Sequence, residues 1–186
     1  MRMLFKKMNL PNKLTMLRLF MVPVFIIVYN YYGQASVIPA IIFALTALTD
    51  FLDGHIARSR NLVTTFGKFM DPLVDKVLTQ AGFIVLTGAG LVPAWMVIVI
   101  VFRELLITGL RTIAASNNVT IAASSLGKIK TVTQFVSIIL LLVKDAVTFI
   151  PDVLANGALY LAVIFTILSG LDYLIKNKNV LDLDNI

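Results

Sequence analysis

The chain has 186 residues, of which 59% are hydrophobic and only 14% are charged, and its mean hydropathy is +0.91. Soluble domains carry about 25% charged residues, so this composition argues against a soluble globular protein. Cysteine is absent, which excludes disulfides and thiolate metal sites. The basic residues behind the net charge of +6 lie at the borders of apolar segments and form no tract suited to nucleic acid. We therefore expect an integral membrane protein with no nucleic-acid partner.

Apolar segments of about 20 residues, the length that crosses a bilayer, follow one another along the chain. Before them, residues 1–13 form a juxtamembrane segment whose first part, MRMLFKKMN, predicts a short amphipathic helix on an anionic leaflet. Asn12, directly after Pro11, is the expected N-cap of the first span. Residues 177–186 form a polar tail. The predicted spans are Leu14–Tyr32, Ser36–Ser59, Thr65–Thr87, Val92–Ser116, Ser124–Val147 and Val153–Lys176.

The sequence therefore predicts an all-α integral membrane protein with six transmembrane helices, built as one domain over residues 1–186. The connections at 32–35, 88–91 and 144–152 hold one cation, Lys144. The other connections and the two ends hold most of the remaining basic residues, among them Arg58, Arg60, Lys68, Lys128 and Lys130. We expect the protein in the cytoplasmic membrane of the cell. Because basic residues favour the cytoplasmic side, both termini should lie in the cytoplasm.

Ionisable residues inside this apolar chain concentrate in one motif. Thr49–Arg58 reads TDFLDGHIAR, and Gly67, Asp71 and Asp75 follow, so the pattern is D-x2-D-G-x2-A-R-x8-G-x3-D-x3-D. On helices, positions 50, 53, 54 and 57 share one face, and positions 67, 71 and 75 share another. The connection at 59–64 is short enough to make the two helices antiparallel neighbours. We expect their polar faces to meet near the cytoplasmic end, with a local kink or unwinding at Pro72.

Four neighbouring carboxylates would repel one another unless cations neutralised them. Oxygen ligands suit Mg²⁺ or Mn²⁺, and two divalent ions would balance four negative charges, an arrangement typical of phosphoryl transfer. Gly54, Ala57 and Gly67 would leave space for a bulky ligand, and Arg58 suits a phosphate or a nucleobase carbonyl. The alternative interpretation is a buried polar network or proton path. His55 lies off the aspartate face and is interpreted as a spacer.

These eight fixed positions resemble the signature of the CDP-alcohol phosphotransferases, the membrane enzymes of phospholipid head-group synthesis. The resemblance implies a six-helix fold, usually a homodimer, that transfers a phosphatidyl group from CDP-diacylglycerol to an alcohol and releases CMP. It also implies that Asp75 is the general base. By the same resemblance, the two metal ions are held by Asp50, Asp53, Asp71 and Asp75. CDP would lie along Asp50, Asp53, Gly54, Ala57, Arg58, Gly67 and Asp71.

Three further stretches bear on the acceptor alcohol. Asn9–Arg18 (NLPNKLTMLR), Phe102–Thr112 (FRELLITGLRT) and Leu126–Gln134 (LGKIKTVTQ) resemble the branch of the family whose acceptor is sn-glycerol 3-phosphate. The residues themselves also favour an anionic acceptor. Arg111 shares a helix face with Glu104 and Thr108, and Lys128 and Lys130 stand at the start of the fifth helix. We predict that Arg111, Lys128 and Lys130 bind the acceptor phosphate.

Other interpretations stay open at this point. The three cations would also serve as positive-inside anchors that snorkel to the interface, and Arg103 would pair with Glu104. Thr15 and Arg18 are candidate pocket residues or anchors of the first helix, and Asp172 and Tyr173 have no assigned role. Within the family, inositol phosphate or phosphatidylglycerol would be alternative acceptors. A divalent-cation transporter is the alternative from a different class, although ion passage has no need of the small residues beside Arg58.

Overall fold

The computed structural model describes residues 9–178 except 60–64, 118, 120 and 123, and within these limits every regular element is an α-helix. The side chains of residues 10, 11, 50–59, 65–69, 71, 72 and 75 are also outside the described part. The helices are α1 (Leu10–Tyr32), α2 (Ile38–Ser59), α3 (Thr65–Gly88), α4 (Ala94–Ser116), α5 (Ser125–Val143) and α6 (Asp152–Lys176). The six predicted helices are confirmed, with the largest boundary differences at the start of α1 and the end of α5.

The start of α1 corrects the predicted cap. Asn9, and not Asn12, is the N-cap, and its side-chain Oδ1 accepts the backbone N–H of Asn12 over 3.1 Å. The helix begins before Pro11 because a proline in the first turn lacks only an N–H that has no partner within the helix. Asn12 is buried on the helix flank. The predicted amphipathic helix in the first nine residues falls almost wholly outside the described residues and stays a prediction.

The chain folds into two compact units. The first unit comprises Met1–Val85 and Leu142–Phe149. In it, α1 packs against α2, and the ring centroids of Phe25 and Phe43 lie 5.5 Å apart in the buried core. α1 ends where Gly33 adopts a φ of 67°, a left-handed conformation that glycine tolerates best, and donates its N–H to the Tyr29 carbonyl.

The second unit comprises Leu86–Leu141 and Ile150–Ile186, and therefore holds α4, nearly all of α5 and α6. α4 packs against α6, with Ile107 and Leu110 of α4 and Tyr173 of α6 forming a buried cluster. A Cβ added at Gly170 would lie 3.1 Å from Cγ of Arg103. Any side chain at position 170 would therefore displace the Arg103 stem. The glycine thus lets Arg103 lie close against α6.

Three of the described helices are long and apolar enough to cross a membrane, namely α1 from Asn12 to Tyr32, α5 and α6. In α2 the described apolar stretch is Ile38–Thr49, and the motif residues that follow it lie outside the described side chains. α3 also carries motif aspartates, and α4 carries Arg103, Glu104 and Arg111. α3 is helical across Asp71 and Pro72, which contradicts an unwinding there, while the alternative of a kink at Pro72 stays a prediction. Within the described residues the chain is thus an all-helical membrane protein, and α2, α3 and α4 carry charged residues well inside their length.

Candidate active site

The aspartate motif lies on two helices of the first unit. Asp50 and Asp53 belong to α2, and Asp71 and Asp75 belong to α3. Their side chains are outside the described part, as are those of Ala57 and Arg58 and the surroundings of Gly54 and Gly67. Among the side chains that the structure does describe, no group of three or more histidines and acids is placed to hold a metal. The predicted metal and CDP ligands therefore stay predictions, and the structure shows only that these residues belong to α2 and α3.

The helical backbone is compatible with a pair of divalent cations. Asp50 and Asp53 are three positions apart on α2, and Asp71 and Asp75 are four positions apart on α3, so the two positions of each pair share a face of their helix. Each face thus offers two carboxylates, which are hard oxygen donors of the type that Mg²⁺ and Mn²⁺ prefer.

The first helix contributes a buried polar face to the same unit. Asn12, Thr15 and Arg18 are all buried, and only 1% of Arg18 is exposed. Positions 12, 15 and 18 recur at helical spacing, so they share a face of α1. An arginine buried in an apolar membrane protein usually marks a functional or structural site. The assignment of Thr15 and Arg18 to a substrate pocket stays a prediction that their burial makes worth testing.

The predicted acceptor residues belong to the second unit, where two of the three are held by other side chains. Lys130 of α5 donates a hydrogen bond from Nζ to Oε1 of Glu104 on α4. Arg103 Nη1 donates to the same carboxylate oxygen over 3.2 Å. Lys130 is 6% exposed and Glu104 is 7% exposed. The predicted Arg103–Glu104 pair is thus confirmed, and Glu104 also neutralises a lysine that the sequence interpretation assigned to a phosphate.

Replacing Glu104 by Gln should destabilise the protein strongly, because it removes the carboxylate that pairs with both Lys130 and Arg103. Removing one partner of a buried pair costs about 3–5 kcal/mol. Thermal unfolding of the detergent-purified variant would show a lower Tm, which the double substitution Glu104→Gln with Lys130→Met should restore in part, since Arg103 keeps its charge. Lys176→Met is the matched control, since Lys176 is largely exposed in its pair with Asp172 and such pairs contribute about 0–1 kcal/mol. A Tm for Glu104→Gln equal to that control would contradict the prediction.

Arg111 of α4 is held by α6. Its Nε donates a hydrogen bond to the Tyr173 hydroxyl over 2.6 Å, and its Cζ lies 5.4 Å from the centroid of the Tyr173 ring. Arg111 is itself exposed, as is Lys128 in the first turn of α5. The three predicted phosphate ligands are therefore not equivalent: Lys130 is buried and ion-paired, whereas Arg111 and Lys128 are accessible.

A buried hydrogen bond between α5 and α6 lies one helical turn beyond Lys130. Gln134 Nε2 donates to Thr166 Oγ1 over 2.9 Å, and neither residue is accessible. Sequence reasoning placed Gln134 in a family stretch but missed this contact, the Lys130–Glu104 pair and the Arg111–Tyr173 pair. The available signal was that polar residues at membrane depth pair with one another, but which helix supplies the partner depends on tertiary packing.

Comparison with known proteins agrees with the family that the aspartate motif resembles. The model of the CDP-alcohol phosphatidyltransferase family matches residues 8–168, so the chain belongs to this family. A protein of Bacillus subtilis named CDP-diacylglycerol–glycerol-3-phosphate 3-phosphatidyltransferase is 42% identical, over 95% of this chain and 99% of its own. A protein of the same name from Rickettsia felis is 38% identical, over 89% of this chain and 93% of its own. A probable phosphatidylglycerophosphate synthase of Mycobacterium tuberculosis is 38% identical, over 90% of this chain and 81% of its own.

Proposed function

We propose that the chain transfers the phosphatidyl group of CDP-diacylglycerol to sn-glycerol 3-phosphate, which gives phosphatidylglycerol phosphate and CMP. This is the phosphatidylglycerophosphate synthase reaction, on the route to phosphatidylglycerol and cardiolipin. The observation that carries the choice of acceptor is the similarity, over nearly the full length, to relatives named for this reaction. The exposed Arg111 and Lys128 support it, because a phosphorylated alcohol needs cationic ligands that a neutral one does not.

The nucleotide half of the reaction belongs to the motif. We assign Gly54, Ala57, Arg58 and Gly67, together with Asp50, Asp53 and Asp71, to binding of the CDP moiety. Asp50, Asp53, Asp71 and Asp75 would hold two divalent cations, which when bound supply positive charge that stabilises the phosphoryl oxygens. Arg58 neutralises the charge that develops on the departing CMP. Asp75 accepts the proton of the acceptor's 1-hydroxyl as general base.

The bonds that form and break follow from these roles. The 1-hydroxyl oxygen of glycerol 3-phosphate attacks the phosphorus that carries the diacylglycerol, and its proton passes to the Asp75 carboxylate. The bond between this phosphorus and the bridging oxygen of the pyrophosphate breaks, and CMP leaves with that oxygen. Arg111, Lys128 and Lys130 hold the acceptor phosphate.

Placement in the cell membrane is part of the proposal. We infer six membrane spans with both termini and the motif on the cytoplasmic side. α3 and α4, with 24 and 23 residues, are about 35 Å long at 1.5 Å per residue, which is enough to cross the hydrocarbon core. The family resemblance adds a homodimer of single-domain chains. The motif would then face the soluble acceptor while the acyl chains of the donor stay in lipid.

The direct test is CMP release by the purified protein in detergent micelles with CDP-diacylglycerol and Mg²⁺. Release that requires glycerol 3-phosphate, and does not occur with inositol phosphate or phosphatidylglycerol, is the expected result. Release with one of the other two acceptors alone would keep the family and reject the acceptor.

Replacing Arg111 by Ala should raise the KM for glycerol 3-phosphate about tenfold to a hundredfold, because a hydrogen bond to a charged group contributes about 1.5–3 kcal/mol. The KM for CDP-diacylglycerol should change little. Steady-state kinetics at saturating donor would measure both constants. Lys144→Ala is the control, since Lys144 lies in the connection after α5 and pairs with Asp145. A glycerol 3-phosphate KM equal to that of the control would move the acceptor site away from Arg111.

A further inference from the structure

The guanidinium of Arg111 is held by the side chain of Tyr173. The tyrosine hydroxyl accepts the Nε–H over 2.6 Å, and the face of the same ring lies 5.4 Å from Cζ. One contact fixes the inner edge of the guanidinium plane, and the other adds a cation–π attraction. Together they restrict a side chain that would otherwise sample many rotamers.

Tyr173 is rigid enough to serve as such a support. It is 3% exposed and packs with Ile107 and Leu110 in the buried cluster of the second unit. Ile107 lies one turn before Arg111 on α4, so the helix that carries the arginine also clamps the ring. The hydroxyl therefore stands at a fixed position relative to the backbone of Arg111.

This arrangement leaves the outer edge of the arginine available for a ligand. In the part of the chain that the structure describes, the contacts of Arg111 are both with Tyr173, and no carboxylate neutralises it. Lys130 differs, because Glu104 takes up its charge. A guanidinium whose Nε is already bonded still presents the N–H groups of Nη1 and Nη2, which match two oxygens of one phosphate.

We propose that Tyr173 is a positioning residue for recognition of the acceptor: it orients Arg111 so that the Nη1–Nη2 edge binds a phosphate monoester. The inference rests on the proposed function and deepens it, since it assigns part of the preference for a phosphorylated alcohol to the last helix. A lysine at position 111 would keep the charge but lose both the bond to Tyr173 and the paired donors.

The test compares Tyr173→Phe, which keeps the ring and its packing, with the unaltered protein. We expect the KM for glycerol 3-phosphate to rise about tenfold, which corresponds to about 1.4 kcal/mol. The kcat and the KM for CDP-diacylglycerol should stay within about twofold. Tyr160→Phe is the matched control, because Tyr160 lies on the same helix with 56% of its surface exposed. It should change nothing.

A double-mutant cycle separates positioning from general support of the fold. If Tyr173 acts through Arg111, the KM for glycerol 3-phosphate of Arg111→Ala should be the same with and without Tyr173→Phe. An unchanged KM in Tyr173→Phe, or additive effects in the cycle, would overturn the inference while the proposed function stands. A lower kcat together with a lower Tm in Tyr173→Phe would also overturn the inference, because both indicate a structural role for Tyr173. If the unaltered protein shows no CMP release dependent on glycerol 3-phosphate, the proposed function and this inference both fail.

Discussion

Replacing Asp75 by Asn should abolish CMP release, with a loss of about a thousandfold or more, while CDP binding is largely retained. General-base catalysis contributes about 10²–10⁴-fold, and Asn has nearly the shape of Asp but cannot accept the proton of the attacking hydroxyl. Asp75 lies on α3, one helical turn after Asp71, so the substitution leaves three of the four motif carboxylates in place. The measurement pairs single-turnover CMP release with equilibrium binding of CDP to the same protein.

Asp50→Asn is the matched comparison for Asp75→Asn, because it also removes one carboxylate charge by an isosteric change. Asp50 lies on α2 and is assigned to metal and nucleotide binding, without a role in proton transfer. We expect Asp50→Asn to weaken CDP binding far more than Asp75→Asn does. Equal loss of CDP affinity in the two variants would contradict the assignment of Asp75 as general base.

Removing divalent cations should reduce CMP release to below about 1% of its initial rate, and Mg²⁺ or Mn²⁺ should restore it. Four aspartates at one-turn spacing on α2 and α3 carry more negative charge than an apolar protein tolerates without cations. Two metal ions near one reacting phosphoryl group also stabilise the charge of the transition state. The measurement is CMP release after dialysis against EDTA and titration with each metal, in which two ions should give a sigmoidal dependence on metal concentration.

The same preparation separates the enzyme from the transporter alternative. Reconstituted vesicles that release CMP but show no flux of divalent cations would agree with the proposed enzyme. Full activity after exhaustive chelation would contradict the metal site, and metal flux without CMP release would favour a transporter.

Much of the fold was predictable because the bilayer limits what an apolar chain can do. Segments of about 20 apolar residues must be helical to satisfy their backbone groups, and all six predicted helices are present. The error at the start of α1 has a local cause. Proline was interpreted as a break before the helix, whereas it occupies the first turn of a helix capped by Asn9.

The family was predictable because its motif is local in sequence, whereas contacts between helices depend on packing. The motif from Asp50 to Asp75 is defined by spacing alone and indicated the family that the match over residues 8–168 shows; the roles of its residues stay predictions. By contrast, Arg111 and Tyr173 are 62 positions apart, and Lys130 and Glu104 are 26 apart. Helical periodicity indicates which residues share a face of one helix, but the neighbour of that face depends on how α4, α5 and α6 pack.

The central claim, attack of glycerol 3-phosphate on the diacylglycerol-bearing phosphorus, is tested most directly by following the acceptor's 1-hydroxyl oxygen. Glycerol 3-phosphate labelled there with oxygen-18 would be supplied with CDP-diacylglycerol and Mg²⁺, and the products would be analysed by mass spectrometry. The proposed reaction predicts that the label appears in phosphatidylglycerol phosphate and that CMP carries none. Label in a cytidine-containing glycerol phosphate, with phosphatidic acid as the other product, would show attack at the other phosphorus and contradict the proposed mechanism.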